Sequence, residues 1–298
     1  MKKTLIILTV ILAGLYVVLT VLDTSEYRLE KQIYRVQKEY NRIMADPKVV
    51  PEAEFDNLTA RYQKLIAAYP ESEVTPNMFL FIGALYNARG NPAKAIENFG
   101  EILKRYPDKG MLCATALLNI ANTHANNKDE AKTMAAFDAI EESYADTEIG
   151  FNLPLLRANY YLNTGHKARH QEAVAKAIDY YKKKSRENPD SQVQFNALRL
   201  LVTVYYGQEN WAAAVDTLEE ILLTFANSQL MTQQRAALFI RSINMVCLTK
   251  LNDYRRAEKV YTRFMAEYPE HPLNKVMEQL LGAIKTLKDK NVKVTTQE

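Results

Sequence analysis

The sequence is poor in cysteine and glycine. Its 298 residues include two cysteines, Cys113 and Cys247, which are far apart and each lie in an apolar segment. This excludes a disulfide framework and the paired spacing of a zinc site, so we interpret both as small buried hydrophobic residues. The nine glycines form no phosphate-binding loop, nucleophile elbow or dinucleotide fingerprint. The sequence therefore predicts no cofactor and no small-molecule substrate.

An excess of charge of one sign is also missing. The chain has 38 Lys and Arg against 35 Asp and Glu, a net charge of +3. A nearly neutral total gives no reason to expect nucleic acid as a partner. Hydrophobic residues make up 48% of the chain, which is enough for a continuous core and excludes a disordered tail.

One long uncharged run stands at the N-terminus. Residues 4–22 are nineteen uncharged residues rich in Leu, Ile and Val, preceded by Lys2 and Lys3 and followed by Asp23 and Glu26. As a helix this run matches the thickness of a bilayer core, so it predicts one transmembrane helix. The charges place its N-terminus in the cytoplasm. An uncleaved anchor is favoured over a cleaved secretory signal because the run is long and lacks a small-x-small cleavage site.

From Ser25 onward the chain is predicted to be all-α. Apolar residues recur at steps of three and four, and no run alternates with period two. In the first segment one such stripe consists of Leu29, Ile33, Val36, Tyr40 and Ile43.

The helices form a repeat. Its units end in an aromatic or polar residue followed by proline or alanine, and these ends are 37, 38, 44, 37 and 43 residues apart. A period of this length predicts a solenoid of helical hairpins. The ends are Tyr69-Pro70, Tyr106-Pro107, Tyr144-Ala145, Asn188-Pro189, Phe225-Ala226 and Tyr268-Pro269.

Small and large residues alternate across the two helices of the first full unit. Gly83 and Ala95 share faces with aromatic residues, and two helices pack closely when a large side chain on one meets a small one on the other. Gly90 is placed to end the first helix with a positive φ. The two predicted faces are Phe79, Ile82, Gly83 and Tyr86 on the first helix, and Ala95, Phe99 and Ile102 on the second.

These positions resemble the tetratricopeptide repeat pattern, aromatic-x2-Leu-Gly-x2-Tyr, then Ala-x3-Phe, then Pro. The resemblance covers about residues 71–270 and implies a right-handed superhelix of about five to six helical hairpins plus a capping helix. The sequence as a whole predicts a membrane segment (1–23), a membrane-proximal hairpin (24–70), the repeat array (71–270), a capping helix (271–288) and a flexible tail (289–298). Seven extra residues between Gly165 and Ala177 should lengthen a helix by two turns.

The first helix of each repeat lines the concave surface in this family, and asparagine recurs there at matching places. An amide offers both a donor and an acceptor, so it can pair with the backbone of an extended peptide. The alternative is that these residues cap helix ends or lie in a wet groove without a ligand. The predicted peptide-binding residues are Asn77, Asn87, Asn122, Asn126, Asn152, Asn159, Asn163, Asn196 and Arg199.

The carboxylate clamp known in this family is not indicated, because Leu80, Leu118 and Leu155 stand where its lysines would be.

His166 and His170 are four residues apart and could present two metal ligands, but Lys167 and Arg169 beside them oppose a cation.

A basic cluster follows in the same segment. It could serve an acidic protein or anionic lipid, or simply face water. Its members are Lys167, Arg169, Lys176, Lys182, Lys183, Lys184 and Arg186.

The leading hypothesis is a non-enzymatic, membrane-anchored scaffold of the bacterial inner membrane. Its periplasmic domain would bind a polypeptide during cell-envelope protein assembly or folding. This combination resembles periplasmic tetratricopeptide proteins of the outer-membrane assembly lipoprotein type, although Leu15 stands where a lipidated cysteine would be. The alternatives are a structural subunit that binds through its outer face or capping helix, a protein secreted after signal cleavage and, remotely, a metal-dependent enzyme at His166 and His170.

Overall fold

The computed structural model describes residue 16 and residues 25–295. Over residues 25–295 it contains thirteen α-helices and one short π-helix, with no strand. The α-helices are α1 (Ser25–Ala45), α2 (Glu52–Ala68), α3 (Thr75–Ala88), α4 (Pro92–Arg105), α5 (Gly110–Asn126), α6 (Glu130–Tyr144), α7 (Glu148–Asn163), α8 (Lys167–Glu187), α9 (Gln192–Gly207), α10 (Trp211–Thr224), α11 (Gln233–Met245), α12 (Tyr254–Glu267) and α13 (Asn274–Thr295); the π-helix is Val246–Lys250.

The predicted transmembrane helix, residues 4–22, lies outside the described residues apart from residue 16. None of the helices that the structure describes combines the length and the apolarity needed to cross a bilayer.

The chain divides into two compact units, Met1–Leu153 and Pro154–Glu298. In the first unit α3 packs against α4 and α5 against α6, while α3 also contacts α5, the first helix of the next pair. In the second unit α8 and α10 both pack against α9, and α12 packs against α13. Each unit is therefore built from helical hairpins that contact their neighbours in the chain, as predicted. The right-handed superhelix and the division into sequence domains stay predictions.

The size matching predicted for the first full repeat is confirmed. Ile82 and Ala95 are fully buried, and Phe79 and Phe99 are nearly so. A Cβ atom at Gly83 would lie 2.3 Å from the ring of Phe99, so only glycine leaves room for that ring. The close packing of α3 on α4 depends on this contact.

One turn geometry recurs between the two helices of a pair. Gly90 has φ of 72°, and Lys128, Glu209 and Asn252 take positive φ at the matching places. Each is followed by an asparagine or aspartate whose side chain accepts a hydrogen bond from the backbone N–H three residues later. These N-caps begin the second helix of the pair, and they are Asn91, Asp129, Asn210 and Asp253.

Replacing a left-handed turn residue with glycine is expected to increase stability. Lys128 is exposed and has φ of 59°, a conformation that is unfavourable for a residue with a Cβ atom. Lys128→Gly should raise the free energy of unfolding by about 1 kcal/mol, measured by urea denaturation of the full chain. The control is Lys182→Gly inside α8, which should lower it by about 1 kcal/mol. A loss of stability in both variants would contradict the conclusion that Lys128 has an unfavourable left-handed conformation.

The seven-residue insertion lengthens a helix, as predicted. Helix α8 has 21 residues, whereas α4, the second helix of the first full repeat, has 14. Because seven residues are about two turns, the apolar face of α8 stays aligned. Its buried residues include Ala173, Ala177 and Tyr181 at four-residue spacing.

The C-terminal helix differs from its predicted bounds. Helix α13 begins at Asn274 rather than at His271, and it continues to Thr295. The segment 289–295, predicted as part of a flexible tail, is therefore helical. The ring of His271 instead packs edge-on against Phe264 at 5.2 Å, and its Nε2 lies 3.1 Å from the Ala226 carbonyl oxygen. These contacts keep His271 in the turn before the helix.

Both cysteines are buried hydrophobic residues, as predicted. The Cys113 thiol donates to the Tyr106 carbonyl oxygen at 3.2 Å. Burial raises the pKa of the Cys247 thiol to about 11, so it is protonated at neutral pH. Neither thiol is placed for chemistry at the surface.

Candidate functional site

All nine predicted peptide-binding residues lie on the first helices of their pairs: α3, α5, α7 and α9. Asn77, Asn87, Asn122, Asn126 and Asn152 belong to the first unit, and the remaining four belong to the second. Six of the nine are exposed. The exposed residues are Asn77, Asn122, Asn126, Asn159, Asn163 and Arg199.

The three other side chains are half-buried and bonded within the protein. The Asn87 amide donates to the Thr123 hydroxyl at 2.8 Å, which links α3 to α5. The Asn152 amide donates to the carbonyl oxygen of Glu148, one turn earlier in the chain, at 2.7 Å. The Asn196 side-chain oxygen accepts from Gln192 at 2.9 Å. The Asn87 amide therefore links two neighbouring first helices, a contact that neither the peptide-binding prediction nor its alternative describes.

An open depression of about 590 Å³ lies between α3 and the start of α5, within the first unit. It brings together the amide of Asn77, the apolar side chains of Leu80, Leu112 and Met111, and the Thr115 hydroxyl. Pockets that combine apolar walls with a few polar groups are suited to binding a ligand side chain. This depression is therefore a candidate contact site on the predicted surface.

The sequence pattern predicted Asn77 and Leu80 at the concave surface, but it did not indicate Met111 or Lys109. Met111 is 46% exposed, unusual for a large apolar side chain in the first turn of a packed helix. Lys109 stands in the turn before α5, and its ammonium group is bonded to the Glu73 carboxylate at 2.9 Å. Because that charge is paired, the depression is largely apolar and amidic rather than cationic.

Helix α11 of the second unit presents a further surface that the sequence did not indicate. Leu238 is 58% exposed and Met245 is 44% exposed, and Arg241 between them is exposed as well. Their spacing of three and four residues puts them on one helical face. Leu238 and Met245 are apolar without being buried, so apolar spacing alone does not separate this exposed face of α11 from its core face.

The two histidines of the metal hypothesis have other contacts. His170 Nδ1 lies 2.9 Å from the Ala158 carbonyl oxygen, so that nitrogen donates a hydrogen bond rather than binding a cation. The His166 ring packs edge-on against Tyr161 at 6.3 Å. Within the described residues, no three His, Cys, Asp or Glu side chains are grouped as metal ligands. The geometry gives the enzymatic alternative no support.

Two lysines of the basic cluster on α8 pair with glutamates of the same helix. Lys176 pairs with Glu172 at 2.7 Å, and Lys183 lies 3.8 Å from Glu187. These are exposed pairs one turn apart, which contribute little to stability and reduce the local excess of positive charge.

Comparison with protein families supports the repeat assignment. The tetratricopeptide repeat model matches residues 82–109 and 245–271. These two segments are similar to tetratricopeptide repeats. The first matched segment runs from the middle of α3 through α4, where the size-matched glycine and the left-handed turn lie. Repeats of this family are in general protein-interaction scaffolds rather than enzymes. Among curated proteins, no sequence matches this chain.

Several solved structures are similar at low identity. BtubC (BKLC) from P. vanneervenii is 15% identical, with 82% of this chain and 91% of that chain covered and a TM-score of 0.42. A tetratricopeptide repeat protein from Parabacteroides merdae is 13% identical, covering 86% and 98%, with a TM-score of 0.36. The TPR2AB domain of yeast Sti1, solved as a pHSP90 complex, is 11% identical, covering 86% and 99%, with a TM-score of 0.33.

Proposed function

We propose that this protein is a membrane-anchored tetratricopeptide scaffold that binds an extended polypeptide along the first helices of its repeats. The observation that carries the proposal is the depression between α3 and α5, where an exposed amide, Asn77, adjoins the apolar side chains of Leu80 and Met111. Exposed asparagines continue along the same helix layer at Asn122 and Asn126.

The chemistry of this surface suits a peptide backbone with an occasional large apolar side chain. A side-chain amide can donate to a peptide carbonyl and accept from a peptide N–H, which gives affinity with little sequence preference. The apolar wall formed by Leu80, Leu112 and Met111 would bury one apolar side chain of the partner.

The cellular setting of the proposal rests on the sequence. Residues 4–22 form a single-pass anchor in the inner membrane of a bacterium, with the repeats in the periplasm, where the partner is an envelope protein during assembly or folding. Secretion after signal cleavage is the alternative. A C-terminal alkaline phosphatase fusion tests the orientation, since it is active only when exported. An inactive fusion would exclude both settings.

Crosslinking in intact cells tests the polypeptide partner. A photoreactive amino acid at Met111 or Asn122 should yield a crosslinked polypeptide that mass spectrometry can identify. The same amino acid at Lys104, which is exposed on α4, is the control and should not yield it. Absence of a polypeptide adduct at both first-helix positions, or equal adducts at all three positions, would contradict the proposal.

Affinity measurements with the identified partner then test whether the asparagine amides contribute to binding. The triple variant Asn77→Ala, Asn122→Ala, Asn126→Ala should weaken binding about a hundredfold, since each net hydrogen bond is worth about 1 kcal/mol. The control is Asn57→Ala with Asn98→Ala, which changes α2 and α4 and should leave affinity unchanged.

A structural subunit that binds through its capping helix is the second candidate. One observation favours it: Val276 on α13 is 42% exposed, so the last described helix leaves an apolar side chain uncovered. A partner held in this way would bind the triple asparagine variant as tightly as the unmodified protein, and Val276→Lys would release it.

A further inference from the structure

Two arginines of the second unit lie against one aromatic ring. The guanidinium carbon of Arg199 on α9 is 5.9 Å from the ring centroid of Phe195, and that of Arg235 on α11 is 5.6 Å from the same centroid. Phe195 is itself fully buried, with its ring edge-on to Phe225 at 5.1 Å and to Phe239 at 6.2 Å. Both arginines are exposed. One buried ring is therefore within cation–π distance of two exposed arginines, one on α9 and one on α11.

Neither cation has a carboxylate partner within the part of the chain that the structure describes. The only bond of either guanidinium there runs from Arg235 Nη1 to the Leu230 carbonyl oxygen at 2.8 Å, which orients the group and leaves its other donors available. This differs from the arginines that are bonded to carboxylates: Arg42, Arg61, Arg89, Arg105, Arg256 and Arg263.

An anion that contacts both cations would be attracted by both charges. Arginine suits a carboxylate because its planar fork can donate two parallel hydrogen bonds to the two oxygens. The packing of Phe195 and the Leu230 bond reduce the freedom that the two side chains would lose on binding.

Apolar side chains adjoin the pair on α11. Leu238 follows Arg235 by three residues and is 58% exposed, and Met245 lies two turns further along the same face. A free inorganic anion or a lipid headgroup would leave this apolar surface uncovered. A polypeptide segment with an acidic residue next to an apolar one would cover both features.

We propose that Arg199 and Arg235 form a binding site for an aspartate or glutamate side chain of a polypeptide that lies across α9 and α11, with a neighbouring apolar side chain on Leu238. This inference rests on the proposed function, since it assumes that the first-helix layer binds polypeptide. It adds the chemistry of the partner: an acidic segment with an apolar residue beside the carboxylate.

The test is selection from a phage-displayed random dodecapeptide library on the full-length protein in phosphatidylcholine nanodiscs. The protein is compared with the double variant Arg199→Gln, Arg235→Gln. The matched control is Arg255→Gln with Arg263→Gln, which also removes two exposed arginine charges from the second unit but on α12. Thermal unfolding of all three proteins verifies that the variants fold.

We expect the unmodified protein and the control to select peptides enriched in Asp or Glu beside an apolar residue, and the double variant to lose that enrichment. For a synthetic selected peptide, the double variant should raise the dissociation constant about tenfold or more. Replacing the acidic residue of the peptide with its amide should have the same effect on the unmodified protein, and no additional effect on the double variant.

Selected peptides without acidic residues would overturn this site while leaving polypeptide binding intact. Acidic enrichment that survives in the double variant would also overturn it. If the unmodified protein selects no peptide at all, the proposed polypeptide-binding function fails together with the site.

Discussion

Replacing Gly150 with alanine is expected to lower the free energy of unfolding of the first unit by about 3 kcal/mol. A Cβ atom at this position would lie 2.2 Å from the carbonyl oxygen of Tyr144 and 2.7 Å from the Cα atom of Ala145. Both are backbone atoms, so no side-chain rotation relieves the overlap. The chain between α6 and α7 would have to move.

The turn resists that movement because it is closed by hydrogen bonds. The Thr147 hydroxyl donates to the Tyr144 carbonyl oxygen at 2.7 Å and accepts from the Gly150 N–H at 3.1 Å. An added methyl group displaces the same carbonyl and strains both bonds. Native-state hydrogen exchange should therefore show lower protection of the α6 amides and of those at the start of α7.

The matched control for this variant is Gly100→Ala in the interior of α4. No heavy atom lies within 4 Å of the Cβ position there. Alanine is the better helix former, so this variant should raise stability by about 0.5–1 kcal/mol. Equal destabilisation by the two substitutions would show that the close approach at Gly150 is not the cause.

Gly83→Ala is expected to destabilise the same unit by about 2 kcal/mol. The added Cβ atom would lie 2.3 Å from the ring of Phe99, whose side chain is only 1% exposed. The ring belongs to a buried cluster with Phe79, Ile102 and Cys113, so it cannot rotate away without displacing them. Urea denaturation of the full chain measures the loss.

A double-mutant cycle separates size matching from a general effect of alanine. Phe99→Leu alone should cost about 1–2 kcal/mol because it leaves a cavity. Combined with Gly83→Ala, the shorter side chain makes room for the new methyl group, so the double variant should be more stable than the sum of the single losses predicts. Strict additivity would mean that Gly83 and Phe99 are not coupled.

The repeat architecture was predictable because its contacts are local. Helices of one hairpin are joined by short turns, so apolar spacing within about 40 residues is enough to pair Gly83 with Phe99 and to place Gly90 at a helix end. The lengthening of α8 was predictable because the seven inserted residues are about two helical turns. Gly150 was missed because its steric constraint comes from the backbone of the preceding turn, which apolar spacing does not describe.

The candidate binding surface was predictable only in part. Helical periodicity placed the asparagines on the first helices, and six of the nine predicted side chains are exposed. It did not indicate that the Asn87 amide bonds to Thr123, 36 residues later, because that contact depends on how closely α3 approaches α5. Nor did it indicate that Arg235 contacts the same ring as Arg199, because that contact depends on the packing of α9 and α11 around Phe195.

The order of residues along this chain specified the helices, the turns between them and the size-matched positions, because each depends on neighbours within one or two repeats. Which polar side chains are engaged inside the protein and which face a partner was settled by the contacts between first helices of successive repeats. Those contacts depend on interhelical distances of a few ångströms, which residue types and spacing leave open.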